Sequence, residues 1–335
     1  MKFEFKKPTI TLDFLDRISP FQPKYPLFAA ELSKKNLVMV SMKKEKGNWN
    51  LAGYSIKEIP DDALGGSIFH PEIKEKETIM NAIKESCFKI GFRSAKISLI
   101  IPDNIVRVSL MSFQEVPSSR KQLIDMIIWK MKKSIPYKIE ETMISYQILK
   151  NGDSSRENLV LVSLMPKNIL GQYEDLFNDL SVRVGLIDIS AFSIYNLFRT
   201  RMQSTGDVGI INCSYNYFTF MIVRKGNLLF FRCKNYQASG GALEEGTRKL
   251  LKRELNTSLS YYTEKLSGKE LEKTYIRSIG CDVASFVSIM EESGLTRYEV
   301  LDPSALVHFS GFSECDEEAR QKLIPAIGAV LGRTE

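Results

Sequence analysis

One stretch of the chain has the residue pattern of a phosphate-binding hairpin. Residues 208–232 read VGIINCSYNYFTFMIVRKGNLLFFR, with apolar runs on both sides of a polar turn formed by Asn212, Cys213 and Ser214. Backbone amides in such a turn can cradle an anion, and an acid beside them can hold a hydrated magnesium ion. This turn has neither an acid nor a glycine, so the stretch by itself leaves open whether it binds a nucleotide.

Few other residues offer catalytic or metal-binding chemistry. The chain has two histidines, His70 and His308, which disfavours histidine-based metal sites and serine–histidine–aspartate catalysis. Its five cysteines are widely spaced and form no Cys-x-x-Cys, so we expect neither a disulfide framework nor a zinc site. Cys87 and Cys233 lie among apolar residues and are predicted to fill core space. The sequence therefore predicts no catalytic residue and no metal ligand.

The bulk composition is that of a globular protein with two or more structural units. The 335 residues are 44% apolar and 26% charged, and a net charge of +6 is spread along the chain. This argues against nucleic-acid binding and leaves contact with an anionic membrane surface open. No apolar run reaches the roughly 18–20 residues of a membrane span, and the N-terminus does not read as a signal peptide. We therefore expect membrane contact only through a partner, unless the chain is the soluble part of a longer protein.

The predicted elements form two similar halves around an insertion. Prolines interrupt residues 1–25, which we predict to be an N-terminal arm, and residues 26–104 read as a β-rich unit with one helix and a buried strand. Residues 105–186 read strand–helix–strand–strand–helix, a small α+β subdomain whose last helix is predicted over 167–185. A connecting helix within 187–206 leads to residues 207–335, which again begin with a β-meander. This order predicts a loose internal duplication of an α/β unit.

The first helix of the predicted insertion has more apolar residues than one buried stripe requires. It reads RKQLIDMIIWKMKKSI over residues 120–135, with Ser118 or Ser119 as its N-cap and Pro136 at its end. Tryptophan and methionine are favoured at protein interfaces, and lysines on the other side could steer an acidic segment. The competing interpretation is that the apolar residues are core and the lysines merely solvated. The interface hypothesis assigns partner binding to Ile124, Ile128, Trp129, Met131 and Lys132.

Several longer stretches between Leu27 and the end of the chain form one pattern. They are LFAAELSKKNLVMVSM (27–42), the segment from ISLIIPDN (97–104) to TMISYQIL (142–149), LIDISAFSIYNLF (186–198), FFRCKNYQASGGALEEGTRK (230–249) and AIGAVLG (326–332). Together these stretches resemble the type IV pilus assembly protein PilM family of the actin-like ATPases. The resemblance implies a two-lobed α/β actin-like fold with a ribonuclease-H-like core in each lobe. It also implies the inserted α+β subdomain, and a C-terminal helix that returns to the first lobe.

The resemblance implies a location and partners as well. Proteins of this kind lie in the cytoplasm and associate with the inner membrane by binding the N-terminal tail of a PilN-like membrane protein. They communicate with an assembly ATPase, and a homo-oligomer or ring is expected. The nucleotide cleft between the lobes would hold ATP with Mg²⁺.

The nucleotide loops of the family fall on residues that depart from its pattern. The first Asp-x-Gly turn corresponds to Glu31-Leu32-Ser33, and the second to Asn212-Cys213-Ser214, which has lost its acid. Loss of the glycines and of one carboxylate weakens the site for a triphosphate with metal. We therefore predict no cofactor and no ATP hydrolysis, with binding of ATP and Mg²⁺ as the alternative. The loop positions are Glu31, Ser33, Lys34, Asn212, Ser214, Thr219, Gly240, Gly241 and Gly280.

Three functions are consistent with these observations. The leading hypothesis is a scaffold or adaptor of a type IV pilus or related secretion machine, with a degenerate nucleotide cleft. The second is a working actin-like ATPase with unusual loops. The third is the cytoplasmic domain of a type II secretion assembly platform protein, which a membrane span after Glu335 would favour.

Overall fold

The computed structural model describes residues 26–65, 72–132, 135, 138–149, 158–203, 206–236, 243–309, 311–312 and 315–332. The predicted N-terminal arm lies outside these residues. Two five-stranded sheets form the bodies of two lobes, and a three-stranded sheet forms a subdomain.

The first lobe is built on a mixed sheet. It begins with a short apolar strand and a hairpin whose turn at Lys46–Gly47 has positive φ at both residues. Strands 1 to 3 are antiparallel neighbours, and two later strands extend the sheet in parallel with strand 1. These strands are β1 (Phe28–Leu32), β2 (Asn36–Glu45), β3 (Asn48–Glu58), β6 (Lys96–Ile101) and β10 (Arg183–Ile189), while β4 (Leu64–Gly65) and β5 (Glu72–Ile73) form a separate small pair. The order in the sheet is β10-β6-β1-β2-β3.

The second lobe repeats this strand order. Its first three strands form an antiparallel meander, and two further strands run parallel to the first of them. These strands are β11 (Asp207–Cys213), β12 (Tyr217–Arg224), β13 (Asn227–Asn235), β14 (Lys273–Ser278) and β15 (Tyr298–Val300). Their order, β13-β12-β11-β14-β15, corresponds strand by strand to β3-β2-β1-β6-β10, which agrees with the predicted duplication.

The subdomain is an antiparallel sheet covered by one helix. Its strands are β7 (Arg107–Phe113), β8 (Thr142–Leu149) and β9 (Asn158–Pro166), with β9 in the centre. The helix α2 (Arg120–Met131) begins at Ser119, whose hydroxyl accepts from the Gln122 amide at 3.5 Å. Leu123, Ile127 and Met131 recur at four-residue spacing and bury one helix face on the sheet.

The predicted insertion extends too far along the chain. The helix predicted over 167–185 ends much earlier, as α3 (Lys167–Asn178), because Ser181 adopts a left-handed φ of 60°. Residues 183–189 then form β10, which pairs in parallel with β6 in the first sheet. Since α3 packs on β10 and on α1 (Lys76–Lys89), both elements belong to the first lobe.

Two helices cross at the junction of the lobes. One is α4 (Ser190–Phe198), which joins β10 to the second lobe, and the other is the final helix α7 (Glu317–Leu331), which packs on β1, β2 and β6. The crossing is close because Gly328 has no side chain. A Cβ there would lie 2.1 Å from the carbonyl oxygen of Ser193 in α4. The C-terminal helix thus fastens the first lobe to the connection into the second.

The remaining helices cover the second sheet. They are α5 (Glu245–Lys265) and α6 (Val283–Glu292), and α5 buries Leu251, Leu255 and Tyr262. No helix in the described part of the chain combines the length and apolar character needed to cross a membrane.

Candidate functional site

The turn after β1 is closed by its own hydrogen bonds. Ser33 donates from its amide to the carbonyl of Asn36 at 2.9 Å and from its hydroxyl to the same oxygen at 3.0 Å. The Asn36 amide in turn donates to the Ser33 hydroxyl at 3.2 Å. Ser33 has no left-handed φ, so the turn tolerates a serine where the family pattern has glycine. Lys34 follows at the tip of the turn and is half-buried.

The turn after β11 is held from behind by a close backbone contact. The amide of Ser214 donates to the carbonyl of Tyr217 at 2.8 Å, and the Ser214 carbonyl accepts from the hydroxyl of Tyr236. Gly280 lies against this carbonyl, and a Cβ at that position would stand 1.8 Å from it. The predicted glycine therefore has a steric role here: its missing side chain lets the turn and the end of β14 meet.

The two turns also contact each other across the junction. The side-chain amide of Asn36 donates to the hydroxyl of Tyr215, which stands in the turn after β11. The ammonium group of Lys35 lies 6.0 Å from the centre of the Tyr215 ring. The first-lobe and second-lobe turns are thus joined at their tips.

Arg277 lies beneath these turns and bridges the lobes. It is fully buried, and its Nη2 donates to Glu31 Oε2 at 3.1 Å in the first lobe. Its Nη1 donates to Asn212 Oδ1 at 3.0 Å in the second lobe. Its Nε donates to the carbonyl of Gln321 in α7 at 2.8 Å. A guanidinium fork with fixed geometry suits such simultaneous contacts with three elements.

Asp103 makes a second connection between the lobes. It stands in a 3₁₀ turn directly after β6 and is fully buried. Its carboxylate accepts from the Asn212 amide at 3.0 Å, from the Thr219 hydroxyl at 2.7 Å and from the Ala191 amide at 2.9 Å. Burial raises the pKa of Asp103 to about 6 in spite of these three donors.

Glu31 is the acid that faces Arg277. Its other oxygen accepts from the hydroxyl of Ser190 at 2.8 Å, at the start of α4. Burial raises the pKa of Glu31, and the positive charge of Arg277 opposes that shift. We call the buried set of Glu31, Asp103, Asn212, Thr219 and Arg277 the inter-lobe clasp.

The clasp accounts for part of the predicted nucleotide site. Glu31, Asn212 and Thr219 are brought into one hydrogen-bonded network, while Ser33, Ser214 and Gly280 shape the turns beside it. Lys34 makes no contact with the clasp. The predicted pair Gly240 and Gly241 lies outside the described residues. Within those residues no cluster of three or more histidine, cysteine or acidic side chains could hold a metal ion.

Sequence reasoning missed two central residues of the clasp. Neither Arg277 nor Asp103 is among the residues that the resemblance assigns to the nucleotide loops. Each carries a usable signal: Arg277 is a charge within the apolar strand TYIRSI, and Asp103 follows the buried strand ISLII and a proline. A charge at such a place is expected to have a buried partner. The sequence separation of 246 residues between Arg277 and Glu31 hides which partner that is.

The predicted partner-binding helix presents a mixed surface. Trp129 has 77% of its surface exposed, and Lys132 is also exposed. Ile124 and Ile128 are half-buried beside them. Met131 is buried in the subdomain core, because it shares the inward-facing stripe with Ile127. The accessible part of the predicted set is therefore Ile124, Ile128, Trp129 and Lys132.

Comparisons with known proteins identify the family. A family of sequences described as type IV pilus assembly protein PilM matches residues 30–249, more than half of the chain. The chain belongs to the PilM family. A search of curated protein sequences gave no match.

Solved structures show that this PilM-family chain has the actin-like fold. The structure described as a PilM–PilN type IV pilus biogenesis complex aligns with a TM-score of 0.76 at 14% identity, covering 92% of this chain and 98% of that one. A protein with actin-like ATPase fold from Bacteroides thetaiotaomicron aligns with a TM-score of 0.53 at 10% identity, over 89% of this chain and 96% of that one. The expected two-lobed α/β actin-like architecture is thereby confirmed.

Proposed function

We propose that this PilM-family protein is a scaffold of a type IV pilus assembly machine, with a junction between its lobes that no longer serves as an ATPase site. The observation that carries the second part is the buried Arg277, whose guanidinium donates to Glu31 and Asn212, one in each of the two segments that correspond to the phosphate loops. In this proposal the protein acts in the cytoplasm and reaches the inner membrane through a partner.

The residues at the junction do not fit magnesium triphosphate. A hydrated magnesium ion needs carboxylate oxygens that face solvent or phosphate. Glu31 instead accepts from Arg277 and Ser190, and Asp103 accepts from three protein donors. Asn212, which replaces the second acid, is held between Arg277 and Asp103. A nucleotide would have to displace these internal partners.

The energetic cost of displacing these partners supports the proposal. Removing one partner of a buried ion pair costs about 3–5 kcal/mol, because the other charge stays buried and unpaired. A triphosphate that displaced Arg277 from Glu31 would meet a cost of this size. Each 1.4 kcal/mol is a tenfold change in the dissociation constant, so an otherwise micromolar site would weaken by about a hundredfold or more.

Calorimetric titration with ATP and Mg²⁺ tests this part of the proposal. We expect no binding below a dissociation constant of about 100 µM and no release of phosphate above background. A micromolar constant together with steady phosphate release would contradict the proposal and establish the ATPase alternative.

The partner in this proposal is the N-terminal tail of a PilN-like membrane protein. Support comes from the similar structure that is described as a PilM–PilN complex. On this chain the surface of α2 fits such a role, because Trp129 is exposed beside half-buried Ile124 and Ile128. Tryptophan is enriched among the residues that dominate binding energy at interfaces.

Fluorescence titration can test the tail and its surface together. The chain has two tryptophans, so a Trp49→Phe background leaves Trp129 as the only reporter. A synthetic tail peptide from the PilN-like protein of the same organism should shift its emission, and Trp129→Ala should weaken binding, measured by calorimetry, about tenfold or more. The matched control is Phe88→Ala, which removes an apolar side chain that is 91% exposed on α1.

The outcomes separate the site from the partner. If the peptide binds and only Phe88→Ala weakens it, the tail binds elsewhere than α2. If neither the protein nor its variants bind the peptide at high micromolar concentration, the PilN-like partner is wrong.

A further inference from the structure

Two cysteine thiols meet behind the second-lobe turn. Cys213 is the last residue of β11, and Cys281 follows the end of β14 by three residues. Their sulfur atoms are 3.2 Å apart. Both residues are buried, with 8% of Cys281 and none of Cys213 exposed. This separation is about 1.2 Å longer than the bond length of about 2.05 Å in a disulfide.

The backbone forces the two thiols together. The carbonyl of Cys213 accepts from the amide of Ile279 at 2.9 Å and from that of Gly280 at 3.3 Å. Gly280 also lies directly against the Ser214 carbonyl. The segment after β14 is therefore fixed to the turn after β11 at adjacent residues, and Cys281 has little freedom to move away from Cys213.

The surroundings distinguish the two sulfurs. A hydrogen bond from Cys213 lowers the pKa of Cys281, with help from the Ser278 hydroxyl at 3.5 Å. Burial raises the pKa of Cys213 well above its usual value. Since the thiolate is the reactive form, Cys281 is the better nucleophile of the pair, and it is also the more exposed.

We propose that Cys213 and Cys281 are a redox-sensitive dithiol that peroxide converts to an intramolecular disulfide. The Cys281 thiolate attacks one oxygen of hydrogen peroxide; the O–O bond breaks, and protonation of the departing oxygen gives water and a sulfenic acid on Cys281. The Cys213 sulfur then attacks the Cys281 sulfur and loses its proton, and the S–O bond breaks with release of a second water. Two thiols and one peroxide thus give one disulfide and two waters, and a dithiol reductant reverses the change.

This modification would act on the clasp. Cys213 follows Asn212 directly, and Cys281 is four residues beyond Arg277, so a covalent bond ties together the strand ends that carry these two residues. The disulfide closes a loop through most of the second lobe, which restricts the unfolded chain. Oxidation should therefore raise the thermal unfolding midpoint by a few degrees.

Thiol mapping on the native full chain tests the proposal. The protein is treated with dilute hydrogen peroxide, quenched, unfolded, alkylated with iodoacetamide and digested. We expect Cys213 and Cys281 to lose alkylation together in the monomer, a peptide pair joined through them to appear, and dithiothreitol to restore both thiols. Cys87, which is only half-buried, serves as the internal reference for exposure alone.

Two variants complete the design. Cys281→Ser should abolish the linked peptide and the rise in the unfolding midpoint, while Cys87→Ser should leave both unchanged. The proposal is overturned if Cys213 and Cys281 remain fully alkylatable while Cys87 is oxidised. It is equally overturned if the linked peptide forms only after unfolding in guanidinium. Both readouts use the unmodified sequence, so a variant that fails to fold does not block the test.

Discussion

The two lobes share one strand order but bring opposite charge to the junction between them. In the first lobe Glu31 is the penultimate residue of β1, and Asp103 follows β6. At the corresponding strand ends of the second lobe stand Asn212 in β11 and Arg277 in β14. The two lobes are complementary at this junction, because the first supplies two acids and the second supplies an amide and a guanidinium. The strand ends of the two lobes therefore bind each other directly.

Removal of the positive charge should break this complementarity most severely. Arg277→Ala leaves Glu31 buried without its partner, and we expect a loss of about 3–5 kcal/mol in the free energy of unfolding. Denaturant titration measures it. The matched control is Arg297→Ala, which disrupts an exposed pair with Glu270 in the same lobe and should cost at most about 1 kcal/mol. Equal losses for the two variants would mean that the clasp is no stronger than a surface pair.

The steric contact between the second-lobe turn and β14 gives the next largest effect. In Gly280→Ala the new Cβ collides with the backbone carbonyl of Ser214, so the turn or the strand end must shift, at a cost of about 3 kcal/mol. Gly171→Ala in α3 is the control, because that position has open space and a helical alanine gains about 0.5–1 kcal/mol. The result would contradict the structure if Gly280→Ala were as stable as the native protein.

The acid after β6 gives a smaller, pH-dependent effect. The pKa of Asp103 is raised from its usual 3.8 to about 6, so the folded protein holds this proton more tightly than the unfolded chain does. The associated stability is present below about pH 4 and is lost as the pH rises through about 6. Between about pH 4.5 and pH 7 the loss is about 2 kcal/mol, from 1.36 kcal/mol for each unit of pKa shift.

Asp103→Asn isolates this contribution. The buried groups around Asp103 include Glu31, whose pKa is raised in the same direction, and Cys233 and Tyr217. These groups are the same in both proteins, whereas asparagine at position 103 cannot titrate. The native protein should therefore lose more stability than the variant as the pH rises, and denaturant titration of both measures the difference. Parallel pH profiles for the two proteins would show that Asp103 keeps an ordinary pKa.

An acid introduced at position 212 should have the smallest effect, and the quantity measured is nucleotide binding. Asn212→Asp adds a third carboxylate to the clasp, where the side-chain amide now donates to Asp103 at 3.0 Å, beside Arg277. Arg277 would pair with the new acid, and Asp103 would repel it, so no carboxylate becomes free for magnesium. We expect the calorimetric affinity for ATP with Mg²⁺ to stay unchanged. A hundredfold gain in affinity for ATP with Mg²⁺ would contradict this expectation, because it would show that Asn212 alone prevents nucleotide binding.

The sequence predicted the order of strands and helices better than the side-chain contacts between the lobes. Hydrophobic patterns and turns located most strands, because burial and turn chemistry are local properties. They failed at β10, where a short apolar run continued a helical pattern and only Ser181 broke the helix. The family resemblance, rather than these patterns, placed Glu31, Asn212 and Thr219 at the junction. Arg277 and Asp103 stayed hidden because their partners are distant in sequence and depend on how the two lobes meet.

One acceptor of Arg277 is synthesised well after Arg277 itself. Arg277 donates to the carbonyl of Gln321 in α7, which lies 44 residues later in the chain. At the usual elongation rate of about 5–20 residues per second, that acceptor leaves the ribosome roughly 2–9 seconds after Arg277 does. During this interval the guanidinium can meet Glu31 and Asn212 but lacks its carbonyl acceptor in the last helix. The buried guanidinium therefore gains its full set of acceptors only after α7 has been synthesised.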